Sequence, residues 1–129
     1  MPDAASIHVM IVDDQTSIRA ILRNSLAQLG IINVSERKNG KDALEYLSQN
    51  SVNLIISDFN MPEMNGLELL KAVRANPRMA KTAFIILTGE ASKELVQEAV
   101  KAGVNNFLAK PYTVGKLKAV MEAVFGTIV

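Results

Sequence analysis

The sequence predicts an α/β domain in which five β-strands alternate with five α-helices and the helices cover both faces of a parallel sheet. Short, continuously apolar runs recur along the chain, as is typical of strands buried on both faces. Between these runs the apolar residues follow the i, i+3, i+4 spacing of amphipathic helices. Such alternation favours βαβ units with right-handed crossovers, and therefore a doubly wound (βα)5 sheet.

The first half of the chain supplies two strands and two helices. The first strand is predicted at 8–12, and the first helix ends at Gly30, a residue suited to the left-handed turn that closes a helix. The second strand, at 34–37, is polar enough to indicate an edge position. The second helix follows Asn39. The apolar stripes of these two helices consist of Ile18, Ile21, Leu22, Leu26 and Leu29 in the first, and of Ala43, Leu44 and Leu47 in the second.

The second half repeats the pattern with three strands, at 53–57, 83–87 and 106–109. The third helix begins after Asn65, which is predicted as its N-cap with Glu68 three residues on, and ends before Asn76 and Pro77. The fourth helix runs from Ser92 to Gly103, and the fifth begins at Thr113. Their stripes are Leu67, Leu70 and Val73; Leu95, Val96, Ala99 and Val100; and Val114, Leu117, Val120, Met121 and Val124.

Length and composition predict one globular domain spanning 1–129. Hydrophobic residues make up 49% and charged residues 21%, which excludes disordered and low-complexity classes. A net charge of +1 does not favour a nucleic-acid partner, and the absence of cysteine excludes disulfides and thiolate zinc sites. The longest apolar run, 83–87, is far shorter than the roughly 20 residues of a membrane helix. Since no secretion signal is visible either, we expect a cytoplasmic protein without membrane insertion.

Polar residues stand where four of the predicted strands end. Asp13 and Asp14 follow the first strand, Asp58 the third, Thr88 the fourth and Lys110 the fifth. Each alone has an ordinary structural explanation, as a helix cap, a turn acid, a strand end or an exposed loop residue. Because parallel strands end along one edge, where open α/β sheets bind their ligands, we expect these side chains to lie close together.

Three neighbouring carboxylates need something to relieve their repulsion. At 4 Å and an effective dielectric near 20, each pair repels by roughly 4 kcal/mol. Either the pKa of one acid rises or a cation binds, and an all-oxygen site suits Mg²⁺. Lys110 could pair with one carboxylate and later with an incoming anion. A nucleophilic carboxylate beside a metal and a lysine is suited to accepting a phosphoryl group.

Five segments in this order resemble the receiver domain of two-component response regulators, and especially its single-domain chemotaxis members. They are VDD at 12–14, SDFNMP at 57–62, MNGLELL at 64–70, LTGE at 87–90 and KP at 110–111. The resemblance covers nearly all of the chain. It implies a flavodoxin-like three-layer sandwich whose parallel sheet has the strand order 2-1-3-4-5.

The resemblance also implies roles for the acidic residues and their neighbours. Asp58 corresponds to the phosphoacceptor. Mg²⁺ would be held by Asp58 and Asp14, by Asp13 partly through water, and by the backbone carbonyl of Asn60. Asn60 and Glu90 occupy positions that are expected to tune hydrolysis of the acyl phosphate.

Further residues correspond to the family's switch. Lys110 would contact a phosphoryl oxygen and form a cis peptide bond with Pro111. Thr88 would turn its hydroxyl toward the phosphoryl group and vacate space for the aromatic switch residue, which corresponds to Phe107. Chemotaxis members often have tyrosine at that position, and Phe107 offers a partner no hydroxyl. Tyr112 stands where the family often has phenylalanine.

The function implied is that of a phosphoacceptor in a bacterial chemotaxis pathway. A histidine kinase would phosphorylate Asp58 with Mg²⁺, and the face formed by the last helices would then bind the flagellar motor switch. Two alternatives stay open: a phosphate sink that drains the kinase without binding the motor, and a small Mg²⁺-dependent aspartyl phosphatase. We expect a monomer that catalyses only its own phosphorylation and dephosphorylation.

Overall fold

The computed structural model describes residues 3–128, so Met1, Pro2 and Val129 of the predicted domain lie outside the described residues. Five parallel strands form one sheet in the order β2-β1-β3-β4-β5, which confirms the predicted flavodoxin-like fold. The strands are β1 (His8–Val12), β2 (Asn33–Arg37), β3 (Leu54–Asp58), β4 (Ala83–Thr88) and β5 (Asn106–Ala109). The helices are α1 (Thr16–Gln28), α2 (Gly40–Leu47), α3 (Gly66–Ala75), α4 (Lys93–Ala102) and α5 (Val114–Phe125).

Side chains alternate along the central strands and fill two separate cores. On β1, Val9 and Ile11 belong to the core that α1 and α5 cover, whereas Met10 and Val12 belong to the core beneath α2, α3 and α4. All four are fully buried. The edge strand β2 is only partly buried, as its polarity predicts. The sheet is therefore the middle layer of three.

Side-chain caps define the starts of four helices. Asn39, Ser92 and Thr113 each accept a hydrogen bond from a backbone N–H in the first turn of their helix. Asn65 and Glu68 form a reciprocal capping box at the start of α3, as predicted. Gly103 ends α4 in the left-handed conformation, with φ 93°. These local signals fix where each helix begins or ends.

Several predicted details differ from the structure. Strands β3 and β4 continue by one residue, so that Asp58 and Thr88 are the last residues of their strands. A short 3₁₀ turn at Ala4–Ser6 was not predicted. Ile21 and Val100 are 56% and 63% exposed, so their assignment to buried helical stripes is wrong. Each lies one residue along, about 100° around its helix, from a side chain that is buried.

None of the helices within residues 3–128 is long and apolar enough to cross a membrane.

Candidate functional site

The ends of β1 and β3 bring three carboxylates together. Asp13 and Asp14 directly follow β1, and Asp58 is the last residue of β3. One carboxylate oxygen from each of the three lies within 4.8 Å of the other two. Asp13 and Asp58 are buried, whereas Asp14 is exposed. The parallel register explains the meeting, because β1 and β3 are direct neighbours that end at the same edge.

Asp13 is the most confined of the three acids. The residue is only 1% exposed. Its Oδ1 accepts a hydrogen bond from the Gln15 amide at 2.9 Å. Its other oxygen, Oδ2, is buried and has no partner among the described residues. Burial raises the pKa of Asp13 to about 6, and repulsion from Asp58 and Asp14 adds to the rise. The Gln15 hydrogen bond and the charge of Lys110 oppose it.

Lys110 reaches the cluster from the end of β5. Its Nζ lies 2.5 Å from Oδ1 of Asp58, so the two form an ion pair. The Asp58 side chain is 7% exposed and that of Lys110 is 31% exposed, which leaves the ammonium open to an incoming anion. The Lys110 amide donates to the carbonyl of Thr88 at 2.9 Å, and the Lys110–Pro111 peptide bond is cis.

Thr88 is buried at the end of β4, with its hydroxyl engaged in its own loop. The hydroxyl donates to the carbonyl of Glu90 at 3.1 Å and accepts from the Glu90 amide at 3.2 Å. Glu90 itself is exposed. A β-carbon added at the next residue, Gly89, would meet no atom within 4 Å, so the space beside Gly89 is open. Thr88 thus has a hydroxyl that could change partner without unfolding the strand.

The loop after β3 is tightly folded around Asp58. The Phe59 amide donates to the carbonyl of Leu87 at 2.9 Å, and the Gly66 amide donates to the carbonyl of Phe59 at 2.9 Å. A β-carbon at Gly66 would lie 2.6 Å from the Asp58 carbonyl oxygen, so a larger residue there would force the backbone to shift. Asn60 lies exposed in the loop. Glu63 has a φ of 69°, a conformation that is uncommon outside glycine.

Phe107 lies on β5 opposite Ile86 and is half-buried against the core beneath α2, α3 and α4. Tyr112 packs against the opposite core, and its hydroxyl is buried without a partner among the described residues. The two aromatic side chains at this end of the sheet are therefore on different faces.

Two contacts that support the site were not predicted from the sequence. Gly66 lies within the MNGLELL segment at 64–70, but its close approach to Asp58 depends on how the loop folds. Arg19 donates from Nη1 to the main-chain carbonyl of Asp13 at 2.6 Å, and nothing in the sequence singles it out. Such contacts depend on side-chain direction, which periodicity does not define.

The cluster fits a divalent cation. Carboxylate oxygens are the ligands that Mg²⁺ prefers, and the unpartnered Oδ2 of Asp13 is a buried acceptor that lacks a donor. Asp13, Asp14 and Asp58 are the residues of this cluster that could hold such an ion. A cation there would also offset the cost of burying Asp13 as a charge.

Comparisons with known proteins show which family this chain resembles. A family model described as the response regulator receiver domain matches residues 9–122. The probable chemotaxis protein CheY of Rhizobium etli is 46% identical over 99% of both chains. Chemotaxis protein CheY1 of Helicobacter pylori strain J99 is 44% identical over 92% of this chain and 97% of its own.

Solved structures agree as well. The structure of Vibrio cholerae chemotaxis protein CheY4 has a TM-score of 0.85 at 35% identity, covering 92% of this chain and 98% of its own. The receiver domain of sensor histidine kinase PA1611 from Pseudomonas aeruginosa, which has a magnesium ion coordinated in its active site cleft, has a TM-score of 0.83. It is 22% identical and covers 94% of this chain and 98% of its own, so the likeness concerns the fold alone.

Proposed function

The chain belongs to the response regulator receiver domain family, and on that premise we propose that Asp58 accepts a phosphoryl group from a chemotaxis histidine kinase. The observation that carries the proposal is the Asp58–Lys110 ion pair at 2.5 Å beside two further carboxylates. A carboxylate nucleophile paired with an accessible ammonium is equipped to receive a phosphoryl group. The relatives' chemotaxis names support the pathway.

Transfer would proceed by in-line attack of an Asp58 carboxylate oxygen on the phosphorus of a phosphohistidine. The new P–O bond forms as the P–N bond breaks, and imidazole leaves. Lys110 has two further N–H donors besides the one directed at Asp58, and these can meet the phosphoryl oxygens. The Asp58 side chain is only 7% exposed and that of Lys110 is 31% exposed, so a phosphohistidine would have to approach Asp58 from the side of Lys110.

Mg²⁺ is the cofactor that we propose for the cluster. Asp13, Asp14, Asp58 and the Asn60 carbonyl would hold it, and when bound it supplies neutralising charge at the transferring phosphoryl group. The protein's own contribution is to hold the carboxyl groups of Asp13, Asp14 and Asp58 close together. We propose that Asn60 and Glu90, both exposed beside the site, tune hydrolysis of the acyl phosphate.

Phosphorylation would be relayed through Thr88. The new phosphoryl oxygens offer its hydroxyl a stronger acceptor than the carbonyl of Glu90, because charged acceptors form stronger hydrogen bonds. Movement of Thr88 would let Phe107 move inward and alter the face formed by α4, β5 and α5. We propose this face as the contact surface for the flagellar motor switch.

The chain would act only on itself, as a monomeric cytoplasmic protein that turns over no diffusible substrate. A phosphate sink that drains the kinase is the alternative role for the same chemistry. An aspartyl phosphatase acting on metabolites is the more distant alternative, and steady-state turnover of phosphorylated metabolites would favour it.

Labelling by a kinase tests the proposal. We expect a phosphohistidine kinase domain to transfer label to the wild-type chain in the presence of Mg²⁺, and not to Asp58→Asn. Asp3→Asn, which changes an exposed acid at the start of the chain, is the matched control and should label normally. Undiminished labelling of Asp58→Asn would contradict the proposal.

The motor and sink roles are separated by a pull-down. Beryllofluoride mimics the phosphoryl group, so the activated chain should gain affinity for purified motor switch protein if it is an output protein. A pure sink should gain none.

A further inference from the structure

Three charged side chains, Arg19, Arg23 and Glu36, form a network between α1 and the edge strand β2 that reaches the acidic cluster at Asp13. Arg19, in the first turn of α1, donates from Nη1 to the Asp13 carbonyl at 2.6 Å. Its Nε donates to Oε1 of Glu36 on β2 at 3.2 Å. Glu36 also pairs with Arg23, one turn further along α1. Arg19 therefore joins α1, the edge strand and the segment that carries the acids.

Both main-chain polar groups of Asp13 are held in place. The Asp13 amide donates to the carbonyl of Arg37 at 3.1 Å, which extends the pairing of β1 with β2. The Asp13 carbonyl accepts from Arg19. Because Gln15 occupies Oδ1, the fixed backbone leaves Oδ2 as the free oxygen of the side chain.

Arg19 is itself well ordered by its surroundings. Its side chain is 15% exposed, against 54% for Arg23. A third contact, from Nη2 to Oγ1 of Thr16 at 3.3 Å, holds the guanidinium plane. A planar fork with several donors in fixed directions loses little further freedom when it forms each contact.

We propose that Arg19, oriented by Glu36, is a positioning residue that fixes the main chain of Asp13 for binding of a divalent cation. The inference rests on the proposed function, since it takes the acidic cluster as a Mg²⁺ site. Residues that hold metal ligands in place change affinity by 10–100-fold when they are removed, so we expect about tenfold weaker binding without Arg19.

Charge alone predicts the opposite change. The guanidinium is positive, so its removal would reduce repulsion of an incoming cation and strengthen binding. Weaker binding after loss of Arg19 would therefore report lost positioning.

The test is calorimetric titration of the full chain with MgCl₂. We expect Arg19→Gln to raise the Kd about tenfold. Arg23→Gln is the matched control, because it removes the other cation on Glu36, and we expect a change within about twofold for this exposed pair. Arg19→Lys keeps the charge, but one ammonium cannot span both acceptors, so we expect about threefold weaker binding.

Each outcome decides the proposal. Folded Arg19→Gln that binds Mg²⁺ as tightly as the wild type, or more tightly, overturns it, and so does equal weakening in Arg23→Gln. If Arg19→Gln does not fold, wild-type affinity in Arg19→Lys overturns it. A wild-type chain that binds no Mg²⁺ overturns the metal site and the proposed function with it. Failure of the proposed function is thereby distinguished from failure of the role given to Arg19 alone.

Discussion

Burial of Asp13 in the site makes its charged form unfavourable and so lowers the stability of the folded chain. Its pKa is about 6 in the folded chain against an ordinary 3.8. Below about pH 4 the carboxyl is protonated in both the folded and the unfolded chain, so it has no effect on stability. Between about pH 4 and 6 the unfolded chain loses the proton first, so stability falls as the pH rises.

Asp13→Asn should therefore stabilise the chain near neutral pH in the absence of metal. One pKa unit corresponds to 1.36 kcal/mol, so the gain in the free energy of unfolding should reach about 3 kcal/mol above pH 6 and vanish near pH 4. Urea unfolding in EDTA across this range measures the difference between the two chains. If the free energies of unfolding of the two chains differ by the same amount at every pH, the raised pKa of Asp13 is contradicted.

Gly66 limits the space beside Asp58. A β-carbon there would lie 2.6 Å from the Asp58 carbonyl oxygen and 3.1 Å from the Phe59 Cα, and both are backbone atoms. We expect Gly66→Ala to lower the free energy of unfolding by about 1–3 kcal/mol and to slow labelling of Asp58. Gly89→Ala, which meets open space, should change stability by less than about 0.5 kcal/mol. Equal losses in the two variants, measured by urea unfolding, would show that close approach is not the cause.

At the scale of elements, Arg74 joins the end of α3 to two loops. Its guanidinium donates to the carbonyls of Gly103, Ala80 and Thr82 and to Oδ1 of Asn105. Burial lowers the pKa of Arg74 from its usual value. The cluster of acceptors suits a planar fork with several donors better than a single ammonium.

Arg74→Lys should lower the free energy of unfolding by about 2–3 kcal/mol, because hydrogen bonds to charged donors contribute about 1.5–3 kcal/mol each and a lysine cannot replace them all. Arg78→Lys is the matched control, since Arg78 reaches only the Leu47 carbonyl with its side chain, at 3.3 Å. Urea unfolding compares the two. Equal, small effects would contradict the role given to Arg74.

Most elements were predictable because their signals are local. Asn65 and Glu68 mark the start of α3 in the sequence, and the same two residues form its capping box. The apolar run of β3 did not predict its last residue, because the ladder hydrogen bonds continue to Asp58 regardless of its polarity. Ile21 was misplaced because the buried side of α1 is narrower than its apolar stripe.

At the scale of the whole molecule, the meeting of Asp13, Asp14 and Asp58 was predictable from topology. Parallel strands end at one edge, so residues far apart in sequence become neighbours. The contact of Arg19 with Asp13 and the engagement of the Thr88 hydroxyl with Glu90 were not predictable. They depend on side-chain directions and loop paths, which only the folded chain defines.

Mg²⁺ binding should stabilise the whole fold through the cluster. At a Mg²⁺ concentration of 100 times Kd, linkage raises the free energy of unfolding by about 2.7 kcal/mol. Asp14 is exposed and its side chain makes no hydrogen bond within residues 3–128, so Asp14→Asn should change stability in EDTA by less than about 0.5 kcal/mol. Thermal unfolding should show a much smaller Mg²⁺ effect for this variant. An undiminished Mg²⁺ effect would place the ion elsewhere.

The acidic cluster contains three carboxylates, and the central claim is that one of them, Asp58, accepts the phosphoryl group. Borohydride reduces an aspartyl phosphate to homoserine, so mass spectrometry of the phosphorylated, reduced and digested chain identifies the acceptor. We predict homoserine at position 58. Homoserine at position 13 or 14, or at none of the three, would contradict the account.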